Sequence, residues 1–238
     1  IGSITAFFAA TVGLVQNELG KINLAVQFFS KVVQLDPTFF EAQMNYGEVN
    51  LSFRGFQPAE GAFRKAIAMR ANDYDAHLGL ALALRGQITD SNYDQQVAAV
   101  QAELDACKKI DAQRPDAYYN EGILTQEFKA KSGGDKQKVI AELKQAKSIF
   151  QDFLAKAGDK PEYKGAIFRV KGDGTKDRGR IGDIDDIITF YETPDAAPEK
   201  PEPKPSGATQ GAQPAGTTPA PQGAAGTAAP AQPVPAKK

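Results

Sequence analysis

The stretch Phe40–Asp73, FEAQMNYGEVNLSFRGFQPAEGAFRKAIAMRAND, decides the fold. Within it the small residues Gly47, Ala59 and Ala66 are spaced among the large Tyr46, Phe56 and Phe63. The register recurs 34 residues earlier, where Gly13, Ala25 and Phe29 stand in for Gly47, Ala59 and Phe63. A 34-residue period of small and large positions means helix pairs packed closely in a stack, each unit burying its apolar face on the next. Such a stack is a binding scaffold, and the pattern does not name what is bound.

The repeat before this one runs over 6–39. Its helices are expected at about 6–19, stopping near Gly20, and at 22–35, ending at Asp36-Pro37, where proline lacks the N–H of a continuing helix. The quoted repeat itself reads as helices over 40–53 and 56–69, with Pro58 in a first turn that needs no N–H there. A third pair begins at Tyr74 with a helix to Arg85, stopped by Gly86. The insertion ITDSNYDQQ then displaces its partner to about 92–113, where Val97, Val100, Leu104, Cys107 and Ile110 track one face. A fourth pair spans 116–131 and 136–157, with Gly122 as its small packing residue and Ser132-Gly133-Gly134 as its turn. Val139, Leu143, Ala146, Phe150 and Leu154 share one side of its second helix. Beyond Gly158 the pattern weakens, and the glycine-rich stretch 171–180 reads as a loop. A last helix over 180–191 sets Ile181, Ile184, Ile188 and Tyr191 at 3–4–3 spacing, as expected of a terminal cap with a polar outer face.

Composition changes sharply near Glu192. The 46 residues from Thr193 hold eleven of the 15 prolines, twelve alanines and no aromatic residue. Val234 is their only large aliphatic side chain. Such a segment buries too little apolar surface to offset its ordering entropy, so it is expected to be disordered. It is either a spacer or a docking segment, with PEKPEPKP (198–205) favouring polyproline II. The expected organisation is therefore a repeat domain at 1–160, a connecting loop with capping helix at 161–192, and a tail at 193–238. The chain opens at Ile1 without methionine, which points to a fragment or a processed form. The uncharged 1–16 lacks a basic flank and is shorter than the roughly 20 residues of a spanning helix, so it reads as a core helix.

A net charge of −1 and the absence of a Lys/Arg run argue against nucleic acid as a partner. One cysteine, Cys107, excludes an internal disulfide and a multi-cysteine metal site, and it reads as a small buried hydrophobe. The only histidine, His77, reads as a packing residue. No Ser/His/Asp spacing and no phosphate-binding loop are present. The run Asp183, Asp185, Asp186 lacks the alternating ligands, turn glycine and later glutamate of a calcium loop, so it reads as a solvated helix face. No catalytic residue, metal or cofactor is expected.

The repeats resemble the tetratricopeptide repeat (TPR) family. That repeat carries a large–Gly/Ala pair in its first helix, Ala and an aromatic in its second, and proline at its closing turn. These appear as Val12-Gly13, Ala25, Phe29 and Pro37, then as Tyr46-Gly47, Ala59, Phe63 and Ala66. Leu80-Ala81 and Gly122 carry the third and fourth repeats, while Ala71 replaces the closing proline of the second. The resemblance covers roughly 6–157. It implies an all-α, TPR-like right-handed superhelix of about four helix pairs, here with a C-terminal capping helix and a disordered Pro/Ala-rich tail.

The resemblance also implies a concave groove lined by the first helix of each pair. Its positions fall on Leu14, Glu41, Met44, Asn45, Glu48, Asp75, Leu78, Leu82, Arg85, Asp116, Tyr119, Asn120 and Ile123. Leu14, Met44, Leu78, Leu82, Tyr119 and Ile123 would form an apolar stripe edged by Glu41, Asp75 and Asp116. A groove of that kind suits a peptide or helix with apolar anchors and at least one Lys or Arg. A carboxylate clamp of the chaperone-binding TPR type is not expected, because its Lys, Asn, Asn, Lys and Arg positions hold Ala10, Leu14, Asn45, Asp75 and Gly79. The domain order is also similar to that of TPR lipoproteins of the bacterial cell envelope, those of myxobacterial gliding motility being the nearest. This implies a non-catalytic adaptor of a multiprotein complex on the periplasmic side, touching a membrane only through an anchor or partners. The alternative function is a regulatory or substrate-presenting TPR domain of a larger enzyme, and the alternative location is the cytoplasm.

Overall fold

The computed structural model describes residues 22–131 and 134–193, the side chain of Ile22 aside. The expected helix over 6–19, with Gly13 and Leu14, and the tail from Pro194 onward lie outside the described residues. Among the described residues the chain is helical, without strands: α1 (Ile22–Leu35), α2 (Phe40–Ser52), α3 (Phe56–Met69), α4 (Tyr74–Arg85), α5 (Tyr93–Ile110), α6 (Asp116–Leu124), α7 (Lys136–Ala157), α8 (Lys164–Lys171) and α9 (Gly179–Glu192). Each helix packs on the next, so α2/α3, α4/α5 and α6/α7 are the pairs foreseen, and α1 is the second helix of the first pair. None of the described helices is long and apolar enough to cross a membrane.

The small–large alternation is the packing itself. The Phe63 ring of α3 lies between Gly47 of α2 and Gly79 of α4; a Cβ at either glycine would fall 2.6 Å or 2.4 Å from the ring. Phe150 of α7 stands against Gly122 of α6 in the same way, at 2.5 Å. Only glycine lets helix backbone approach a buried ring so closely. Ala25, Phe29 and Val32 lie on one buried face of α1, and Val100, Leu104 and Cys107 on one face of α5. Burial pushes the Cys107 thiol up to about 12, which leaves it an unreactive core residue.

The structure corrects three expectations. First, α5 stops at Ile110, short of 113, because the Asp111 carboxylate accepts the Gln113 N–H at 2.8 Å and turns the chain toward Pro115. Second, the helix expected over 116–131 is α-helical only to Leu124 and continues as one π turn, Thr125–Lys129. In that turn the Phe128 carbonyl accepts the Tyr93 hydroxyl at 2.5 Å, tying it to the start of α5. Third, the expected connecting loop holds α8, entered through a short 3₁₀ turn at Pro161–Tyr163. Its Val170 is fully buried beside Ile184 of α9 and Phe153 of α7. Gly172 and Gly179, both at positive φ, bring the two ends of the α8–α9 loop into backbone contact that a side chain at either would block. The cap is therefore a helical hairpin. Nor is its outer face polar throughout: Phe190 is 77% exposed, with Ile187 beside it.

Candidate protein-binding groove

The first helices of successive pairs touch one another, α2 on α4 and α4 on α6, and form one continuous inner surface. The residues expected there behave in three ways.

Much of the apolar stripe is turned into the core. Met44 and Ile123 are buried, as is the polar Asn120. The Tyr119 ring lies 5.2 Å from that of Phe153, and its hydroxyl accepts from Arg169 Nε at 3.0 Å. These side chains hold neighbouring helices together. Leu78 and Leu82 stay half-buried and reach the surface.

The acidic edge is neutralised from within. Arg70, just after α3, donates to Glu41 at 2.7 Å and stacks over the Phe40 ring at 3.7 Å. Arg114, just after α5, repeats the clasp on Asp75 at 2.7 Å and on the Tyr74 ring at 3.8 Å, and reaches Asp116 at 3.4 Å. Asp116 also accepts the Tyr163 hydroxyl at 3.0 Å. The expectation that Glu41, Asp75 and Asp116 await a basic partner is corrected: each already has an arginine. Both arginines escaped the sequence reading because the lengthened third pair sets Arg114 farther from Tyr74 than Arg70 is from Phe40. Only an Arg placed before each new pair, after an aromatic–acid opening, could have signalled them.

What remains open is Asn45 and Glu48 on α2 with Leu78, Leu82 and Arg85 on α4. Arg85 spans to α6, donating to Asn120 Oδ1 at 2.9 Å, while Asn120 donates to the Asp116 carbonyl at 2.9 Å. Burial holds the Arg85 guanidinium below its usual pKa, with Glu127 opposing and Arg180 adding repulsion. Glu48 has no cationic partner among the described residues. Glu48 is exposed, and partial desolvation together with the charge of Asp75 raises its carboxyl above the ordinary value of 4.5. Past Ile123 the cap closes the surface: Arg180 pairs with Glu127 at 2.7 Å and donates to Gln126 at 2.8 Å.

Other candidates are absorbed by structure. His77 joins α4 to α5, its Nδ1 2.6 Å from Glu103 and its Nε2 3.0 Å from the Ala71 carbonyl. Asp185 pairs with Lys147 at 2.6 Å, Asp186 pairs with Arg178, and Asp183 is solvated. No group of three or more His, Cys, Asp or Glu among the described residues is arranged to hold a metal.

Solved structures share this architecture. The MamA protein of Desulfovibrio magneticus aligns over 64% of this chain and 76% of its own, at 20% identity and a TM-score of 0.51. The pilF protein of Pseudomonas aeruginosa aligns over 82% of this chain and 80% of its own, at 14% identity and a TM-score of 0.50. The fold is a tetratricopeptide-repeat solenoid. A thermophilic TPR protein of Thermus thermophilus aligns over 78% of this chain and 98% of its own, at 14% identity and a TM-score of 0.46. No family model and no curated protein matches the chain. At these identities the likeness establishes the TPR fold alone, so function rests on the groove.

Proposed function

We propose that this TPR solenoid is a non-catalytic adaptor that takes a peptide or helix of a partner protein in the groove between α2 and α4. The observation that carries this reading is Glu48. Glu48 is an exposed carboxylate on the inner surface with Asp75 nearby and no cationic partner among the described residues, so it can take a Lys or Arg of a ligand without first breaking an ion pair. Leu78 and Leu82 supply apolar contact beside it, and Arg85 with Asn45 supplies hydrogen-bond donors for a backbone. The ligand is therefore a segment with a basic anchor flanked by apolar residues. The assembly served is a multiprotein complex of the bacterial envelope, by the resemblance in domain order.

Peptides of that pattern, titrated by fluorescence anisotropy, should bind the full chain. Glu48→Gln should weaken them roughly tenfold, the worth of one charge-assisted hydrogen bond. An unchanged affinity, or equal affinity for peptides lacking Lys and Arg, would remove Glu48 from the site. The same substitution should stabilise the free protein slightly, because solvent screens this exposed group, and the sign follows from the raised pKa. Below the unfolded value of 4.5 the carboxyl is neutral in both states, so Glu48 costs nothing. As pH rises through the higher folded value, charging costs more in the folded state than in the unfolded. The midpoint of thermal unfolding should therefore differ little between wild type and Glu48→Gln at pH 4, and favour the variant at pH 7.

A further inference from the structure

At the cap a hole and a knob lie side by side. Gln126, Ala130, Lys131, Val139, Leu143, Ile187 and Tyr191 line a cavity of about 320 Å³ between the π turn, α7 and α9. Next to it on α9 stands Phe190, 77% exposed, its ring 5.8 Å from that of Tyr191, which lines the cavity. A terminal solenoid helix that ends a stack needs a polar outer face, and on α9 the polar face of Asp183, Asp186 and Thr189 is interrupted by Phe190 and Ile187. We infer that this end of the molecule binds a second copy of the same chain, Phe190 of each copy entering the cavity of the other.

Three features favour a copy over any other occupant. A two-fold interface must be self-complementary, so that a knob on one subunit meets a hole that the same patch also carries. Adjacent knob and hole on one surface meet that condition. The cavity is mostly apolar-lined and exceeds a phenyl ring, so the ring can be accommodated whole. The tail beyond Thr193 has no aromatic residue and one large aliphatic one, so it is poorly equipped to fill the cavity itself.

Sedimentation velocity of the full chain tests this. The expected result is a concentration-dependent species of twice the monomer mass. Phe190→Glu should return it to the monomer with an unchanged helical circular-dichroism spectrum, since the side chain touches little of its own fold. Val139→Trp, which fills the hole, should do the same. Mixing the two variants should restore part of the association, because the mixture contains one intact knob and one intact hole. A full chain that stays monomeric would overturn the inference, including the case where only a chain cut after Thr193 dimerises. So would a dimer whose mass Phe190→Glu leaves unchanged, or an open-ended series of larger species.

Discussion

Phe63→Ala should destabilise the domain by roughly 3–5 kcal/mol, the range for removing a fully buried ring. Phe63 is 1% exposed and packed between two glycines. Neither Gly47 nor Gly79 has a side chain that could move into the space, so the cavity cannot collapse and the cost should fall toward the upper end. For a domain of this size that is a fall in unfolding midpoint on the order of ten degrees. Urea denaturation should show a lower midpoint with an unchanged slope. A companion substitution tests the geometry. Gly79→Ala gains about 0.5–1 kcal/mol of helix propensity but drives a Cβ against the ring, an overpacking cost of about 1–3 kcal/mol. Alone it should therefore destabilise. In the Phe63→Ala background the clash is gone, and the same substitution should stabilise. If Gly79→Ala has the same sign in both backgrounds, the ring does not sit between the two glycines.

The contrast between these glycines shows what the sequence made legible. Gly47 was visible because it recurs with Gly13 at the repeat period. Gly79 is out of register with Ala81, the repeat equivalent of Gly47, and its role appears only once α4 is laid on α3. Helices α1, α3, α4 and α7 were readable because their apolar faces are long and their ends are marked by Pro37, Gly86 and Gly158. α8 was not, since eight residues with two inward aliphatics make no period. The groove was the least legible part. The TPR resemblance puts Met44, Tyr119 and Ile123 on the inner side of their helices, yet whether that side meets solvent or a neighbour depends on crossing distances between helices. The acids Glu41, Asp75 and Asp116 could be named from the sequence, but their partners Arg70 and Arg114 lie a whole helix pair away. Local pattern thus locates a surface, and long-range pairing decides which of its groups stay free. Glu48 is left as the free acid because no arginine is positioned to reach it.

Glu121→Ala should be the costliest polar substitution, at about 2–3 kcal/mol. Lys108 of α5 reaches both Glu121 carboxylate oxygens, at 2.9 Å and 3.0 Å, and Asp105 at 2.9 Å. Gln101 donates to Glu121 at 2.8 Å and accepts from Lys129 at 2.8 Å, so the network fastens α5 to α6 and its π turn. Breaking one side of a buried pair costs about 3–5 kcal/mol. Glu121 is 9% exposed but Lys108 is 23%, so water recovers part of that cost. Lys144–Glu192, more than half exposed on both sides, is the control, and Glu192→Ala should cost less than about 1 kcal/mol. Replacing Lys108 and Glu121 together by Met and Leu should recover most of the loss, because no charge is then left unpaired. The pH dependence separates the pair from simple packing. Burial opposes the Lys108 charge, but the hydrogen bonds of Asp105 and Glu121 outweigh it and raise its pKa above 10.5. The pair's contribution is therefore fully present below 10.5 and is lost as pH rises through the higher folded value. Urea midpoints of wild type and Glu121→Ala should differ most at neutral pH and converge at strongly alkaline pH. A gap that persists there would assign the cost to lost side-chain volume, not to the ion pair.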